Sequence, residues 1–146
     1  MRNKFYILGL PRSRTSWLSA FLHGGEVFCV HDAFSSKQLT QLYDLDFEYV
    51  SSVDTNPLKA KEYLKDYGCP LVIIKRNPED VIESLCKLLG EASRVEVTKC
   101  IMGRAEALNE AEVYADMVIP FEELDEHLEK LWSLCIPTID FPKTKS

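Results

Sequence analysis

The sequence predicts an α/β domain whose mostly parallel central sheet is flanked by helices on both faces, and three observations predict it. Short, continuously apolar runs recur along the chain: Phe5 to Leu8, Val27 to Val30, "CPLVIIKR" at 69–76 and "DMVIPF" at 116–121. Runs of that length without polar alternation suit strands covered on both faces. The segments between them carry helical spacing together with helix start and stop residues. Strand and helix also alternate in order, as a parallel sheet with crossover helices requires. In such sheets ligands sit outside the carboxyl ends of the strands, so chemistry is sought in the loops that leave them.

The first run is bounded by Gly9 and Pro11. Trp17, Leu18, Phe21 and Leu22 then recur at i, i+1, i+4 and i+5, which predicts a helix that starts at Thr15 or Ser16 and is stopped by Gly24-Gly25. The second strand ends at His31-Asp32. "SKQLTQLYDL" at 36–45 reads as a helix, and "FEYVSSVDTN" at 47–56 as a short extended segment ending in a turn. Pro57 opens a helix that Gly68 closes. After the strong buried strand at 69–76, Asn77 is a cap, Pro78 a first helical residue and Gly90 a stop. A longer helix is predicted over Val95 to Glu112, and "EELDEHLEKLWSL" at 122–134 follows the last strand as another.

A length of 146 residues, 46% of them hydrophobic and 27% charged, is enough for one globular domain over 1–146, with only the tail at 142–146 loose. The net charge of -6 argues against broad nucleic-acid binding, which wants a basic face. A small anionic ligand held by a local arginine cluster remains open. The apolar run after Lys4 is too short to span a membrane and is interrupted by "PRSR". Neither signal peptide nor membrane anchor is therefore predicted, and the chain is expected to be cytoplasmic. Cys29, Cys69, Cys86, Cys100 and Cys135 are odd in number and show no Cys-x-x-Cys spacing, which disfavours disulfides and zinc. No metal site is expected.

Two strand ends carry arginine. In the first, "GLPRSRTSW", a strand, a tight loop and a helix start follow one another, so unpaired backbone N–H groups and the helix dipole favour a phosphate or sulfate. Arg12 and Arg14 strengthen that reading, because a guanidinium pairs with anionic oxygens. Against the pattern Gly-x-x-x-x-Gly-Lys-Ser/Thr, Arg14 replaces the second glycine and Thr15 the lysine, which makes an ordinary ATPase a poor fit. Arg12 and Arg14 read equally as solvated turn residues, with Ser13 or Thr15 capping the helix. In the second end, "LVIIKRNPEDVIES", Arg76 follows the strand and Ser84 lies about two turns into the next helix. The two share a ligand only if it lies along the helix flank, and they read equally as a solvated strand terminus and a small surface residue.

Together these segments resemble the sulfotransferase superfamily, whose donor is 3′-phosphoadenosine 5′-phosphosulfate, and the chain resembles an unusually short member of it. "LPRSRTSWL" resembles the 5′-phosphosulfate loop, "RNPEDVIES" the 3′-phosphate motif, and "ADMVIPFEEL" the strand and acidic turn that often follow. The resemblance implies a three-layer P-loop-type fold. It implies that Arg12 holds the 5′-phosphosulfate and stabilises the leaving phosphate, and that Ser13, Arg14, Thr15 and Ser16 add loop contacts. Trp17 would stack on adenine, a role that stands beside a core place in the first helix, while Arg76 and Ser84 would bind the 3′-phosphate. No metal is required, since sulfuryl transfer needs positioning and charge neutralisation. Three departures stand out: Arg14 in place of a glycine, no Arg-Lys-Gly lid motif near the carboxyl end, and a short chain with reduced room for segments that enclose an acceptor.

For the acceptor, expected to be a small-molecule hydroxyl or amine, a base is wanted. His31 closes the second strand on the ligand side with Asp32 beside it, and histidine suits proton abstraction at neutral pH. A structural or solvated role for His31 stands beside that one. His23 reads as a helix C-terminal residue, His127 as a surface residue, and Glu122 to Glu126 as a charge run that complements a helix dipole. "SSVDT" lines the pocket or is a polar turn. Two other readings are a nucleotide-dependent phosphotransferase and a non-catalytic nucleotide-binding protein of the same fold. The oligomeric state is not readable.

Overall fold

The computed structural model describes residues 3–33, 46–58 and 69–142. Among these, one sheet contains β1 (Asn3–Gly9), β2 (Val27–His31), β3 (Tyr49–Asp54), β4 (Leu71–Lys75) and β5 (Met117–Pro120), in the order β2-β3-β1-β4-β5. Every neighbouring pair is parallel, so the described sheet is parallel throughout. The helices are α1 (Thr15–Leu22), α2 (Pro78–Leu89), α3 (Arg94–Ala111) and α4 (Leu124–Cys135). Pro57 and Leu58 are helical; the rest of the helix predicted from Pro57 to Gly68 lies outside the described residues, as do the predicted helix at 36–45 and the tail from 143.

Alternation along the strands builds two cores. Phe5 and Ile7 of β1 and Val72 and Ile74 of β4 face Leu18, Phe21 and Leu22 of α1 and Leu124, Leu131 and Trp132 of α4. Tyr6 and Leu8, with Leu71 and Ile73, face Val81, Ile82 and Cys86 of α2 and Val97, Ile101 and Leu108 of α3. The register pairs like with like, Tyr6 beside Leu71 and Ile7 beside Val72. Each such side chain, buried to within a few per cent, stabilises the fold by about 1.5–3 kcal/mol. The continuous apolar runs are thus explained: both faces of each central strand are covered.

This two-sided burial also positions the site. The helix after β1 lies on one face and the helix after β4 on the other, while β1 and β4 are neighbours. A crevice opens where neighbouring strands send their helices to opposite faces, at the carboxyl ends. The loops following Gly9 and Lys75 meet there. Boundaries moved little from expectation, except that Phe121 to Glu123 form a short 3-10 turn between β5 and α4 instead of extending either.

Candidate functional site

The turn out of β1 is tight because Gly9 has no side chain. A Cβ there would lie 3.2 Å from Thr15 Cγ2 and 3.4 Å from Ile74 Cβ. Two residues of the loop, Arg12 (φ 64°) and Arg14 (φ 61°), adopt left-handed backbone. That conformation costs a non-glycine residue about 1–2 kcal/mol. Arg14, in the place of the pattern's second glycine, therefore retains a glycine-like backbone. No side chain caps α1 and no acidic residue stands in its first turn. Ser13 is fully buried with no hydrogen-bond partner for its Oγ, and Thr15 Oγ1 bonds His31, so neither hydroxyl serves as the helix cap. The helix start remains available to an anion.

An open cavity of about 340 Å³ lies at this helix start, lined by Pro11, Arg12, Arg14, Thr15, Ser16, Trp17, His31, Asp32 and Thr55. His31 Nε2 is 3.0 Å from Thr15 Oγ1, and His31 Nδ1 is 3.1 Å from Asp32 Oδ2. Asp32 Oδ1 accepts from the Thr55 N–H at 2.8 Å and from its hydroxyl at 3.0 Å. The ends of β2 and β3 are thereby tied to the first residue of α1.

On the other side of the crevice, Arg12 Nε donates to Ser84 Oγ at 3.0 Å, and Arg76 Nη1 donates to the Arg12 carbonyl. The Arg76 guanidinium rests over Phe121, 4.2 Å from the ring centre. Arg12, Arg76 and Ser84, from two segments more than sixty residues apart, form one cluster. Ser84 reaches the loop from the flank of α2 and contacts Arg12; Arg76 reaches the same residue's backbone. Arg14 is directed elsewhere, to Asp125 at 2.9 Å and over Trp17 at 4.2 Å. Trp17 also stacks on Phe21, with ring centres 5.2 Å apart. Ser16 and Trp17 both line the cavity.

Asp125, Phe121 and the Thr55 role were not singled out by sequence. Asp125 stood in an acidic run read as helix-dipole compensation, and its pairing across 111 positions leaves no local signal. Thr55 lay in "SSVDT", where a polar turn explained it equally well. His23, as expected, closes α1, and its Nδ1 accepts from the Cys29 N–H at 3.2 Å. A second, largely apolar cavity of about 430 Å³ lies between α2 and α3, touching the first at Pro11 and containing Glu96 and Arg104 at its polar edge. Burial pushes the Cys69 thiol up to about 11 and that of Cys135 higher still, the mark of inert rather than reactive cysteines. Among the described residues no group of three or more His, Cys, Asp or Glu side chains is placed to hold a metal ion, and no helix is long and apolar enough to cross a membrane.

No protein-family model and no curated protein sequence matches the chain. Solved structures do. A mouse sulfotransferase, SULT7A1 complexed with PAP, superposes with a TM-score of 0.64 at 14% identity, over 97% of this chain. The chain spans 61% of that sulfotransferase's length. Shikimate kinase from Bacteroides thetaiotaomicron superposes with a TM-score of 0.53 at 15% identity, over 90% of this chain and 99% of the kinase. Sheet order, strand-end loop and structural neighbours agree: the chain has a P-loop-type α/β fold.

Proposed function

We propose that the chain is a sulfotransferase-like enzyme that moves a sulfuryl group from 3′-phosphoadenosine 5′-phosphosulfate to a hydroxyl or amine of a small-molecule acceptor. The observation that carries the reading is the crossing in the β1–β4 crevice, where Arg12 meets Ser84 and Arg76 in front of an uncapped helix start. The sequence resemblance and the superposition on a PAP-bound sulfotransferase support the same donor.

In this reading the 5′-phosphosulfate sits on the α1 N-terminus, near the unspent Ser13 hydroxyl. Arg12 faces the bridging oxygen, where charge grows as the sulfuryl group leaves, so its contribution is larger in the transition state than in the ground state. Arg76 has donors beyond the one given to the loop, and Ser84 has its own hydroxyl proton; both are available to a 3′-phosphate. Trp17 takes the adenine after Arg14 moves aside. His31, which lines the same cavity, is the base for the acceptor.

A nucleotide-dependent phosphotransferase is favoured by one observation, the near-complete coverage of shikimate kinase. Thr15 in place of the phosphate-binding lysine counts against it. Calorimetric titration with 3′-phosphoadenosine 5′-phosphate, AMP and ATP, each with and without magnesium, separates the two. The bisphosphate is expected to bind best and without magnesium. Magnesium-dependent ATP binding would install the phosphotransferase, and tight bisphosphate binding without sulfuryl transfer would leave a non-catalytic binding protein.

A further inference from the structure

His31 is held at both ring nitrogens, and the partner at each is informative. Nδ1 faces Asp32 Oδ2 at 3.1 Å, and an ionised carboxylate only accepts, so Nδ1 carries a proton. In the neutral ring Nε2 is then the acceptor, and Thr15 donates to it at 3.0 Å. Asp32 is itself immobilised by two bonds from Thr55, at 2.8 and 3.0 Å, and by a left-handed backbone of φ 61°.

Thr15 has a single hydroxyl proton. The residue is 4% exposed, opens α1 and lines the cavity beside Arg12. Its oxygen is held at His31 by the 3.0 Å contact, and the hydroxyl proton can turn about the Cβ–Oγ1 bond to another acceptor. An anion seated on the helix start competes with Nε2 for that proton, and a charged oxygen is the stronger acceptor.

We propose that Thr15 is a one-proton switch that keeps His31 occupied until the donor arrives, with Asp32 as the positioning residue that holds the ring in the required tautomer. On donor binding the Thr15 proton swings to an anionic oxygen, and the Nε2 lone pair becomes free. Nε2 then takes the acceptor's proton as the acceptor oxygen or nitrogen bonds to sulfur. The bond from sulfur to the 5′-phosphate breaks, its electron pair passing to the phosphate oxygen, and the imidazolium is stabilised by Asp32. The inference rests on the donor reading above and adds to it roles for Thr15 and Asp32: the base is armed by the donor.

The test is nuclear magnetic resonance of the histidine ring nitrogens at about pH 8, where an imidazole is neutral, with His31 assigned by comparison with His31→Gln. The ligand-free protein is expected to show Nδ1–H and an Nε2 that accepts a hydrogen bond. Saturating 3′-phosphoadenosine 5′-phosphate should move the Nε2 resonance toward that of an unbonded acceptor and leave Nδ1 protonated. Thr15→Val should show the unbonded position from the start and no response, with nucleotide affinity about 10-fold weaker for one lost charge-assisted bond. Thr15→Ser should restore the parent behaviour, and Thr15→Ala serves if the valine variant does not fold. Asp32→Asn should give the Nε2–H tautomer and lower kcat while the donor KM is kept. An Nε2–H tautomer in the parent, an Nε2 resonance unmoved by bound nucleotide, or a Thr15→Val protein that responds like the parent would overturn the proposal. Failure of the nucleotide to shift any loop amide would instead overturn the donor reading, and the ligand-free spectra of parent and valine variant would still decide the relay.

Discussion

Two junctions in this molecule have the same topology and opposite chemistry. From β1 into α1 the chain passes through two left-handed arginines and a buried, unpartnered serine to a helix start with no cap and no acidic residue. From β4 into α2 it passes through Asn77, whose side chain accepts from the Glu79 N–H at 2.9 Å, then Pro78 at the first position and Glu79 and Asp80 in the first turn. The second junction satisfies its own orphan groups and cancels its dipole; the first leaves both uncompensated. Local stability favours the second arrangement. A negatively charged ligand would offset the strain of the first, which supports the proposed reading of the loop as a site and of the Asn77 corner as structure that carries Arg76 and Ser84 toward it.

The sharpest way to break that contrast is at Arg12. Arg12→Ala is expected to lower single-turnover rates at saturating donor by roughly 100- to 1,000-fold, more than it weakens donor binding. Arg12→Lys should keep much of the activity. Equal single-turnover rates for Arg12→Ala and the parent would reduce the open junction to a binding site.

His31→Ala should cost roughly 100-fold in turnover while donor affinity stays intact. If turnover is unchanged, His31 is not the base, and the contrast loses its catalytic meaning. Next in size is the closed junction's contribution to recognition. Arg76→Ala is expected to weaken 3′-phosphoadenosine 5′-phosphate by about 1.5–3 kcal/mol and leave AMP nearly unchanged. Similar losses for both ligands would mean that Arg76 acts only through its bond to the Arg12 carbonyl.

Asn77→Ala should cost about 1 kcal/mol of folding stability with donor affinity unchanged, because a cap is lost and no ligand contact with it. A large loss of affinity at unchanged stability would erase the distinction between the junctions. The smallest effect belongs to Arg94, which bonds Glu83 and Glu91 where α2 turns into α3. Its hydrogen bonds hold both carboxyls below their usual range. Groups whose folded values are depressed add stability above the unfolded carboxylate range and lose it as pH falls through the folded values. The melting temperatures of Arg94→Ala and the parent should therefore differ slightly near pH 7 and converge well below about pH 4. All three side chains are exposed, so the difference is small.

Among the described residues, β1 and β4 were legible because burial on both faces writes continuous apolar runs, as at Leu71 to Ile74, and α2 because Asn77, Pro78 and Gly90 punctuate it by local geometry; β3 was fainter, because buried Ser51, Ser52 and Asp54 interrupt its apolar residues. The loop residues were legible for a related reason: Gly9 to Ser16 form one short segment whose order carries the pattern. What sequence could not supply is pairing across the fold. Whether Ser84 faced Arg76 or Arg12 depended on how α2 crosses the sheet, and Arg14's ion pair with Asp125 depended on α4 lying on the same face as α1. The departure at Arg14 was visible, but its backbone was not; only φ shows that an arginine has taken a glycine's conformation.

Of the chain's two tryptophans, Trp17 is 37% exposed beneath a movable guanidinium. Trp132 is 5% exposed, with its indole N–H bonded to the Ile139 carbonyl at 2.7 Å. Under the proposed function, one indole would change surroundings as a nucleotide displaced Arg14, and the other would not. The protein would then carry its own optical probe and its own internal standard, and Trp17 fluorescence read against Trp132 would report arrival of the proposed donor without a label.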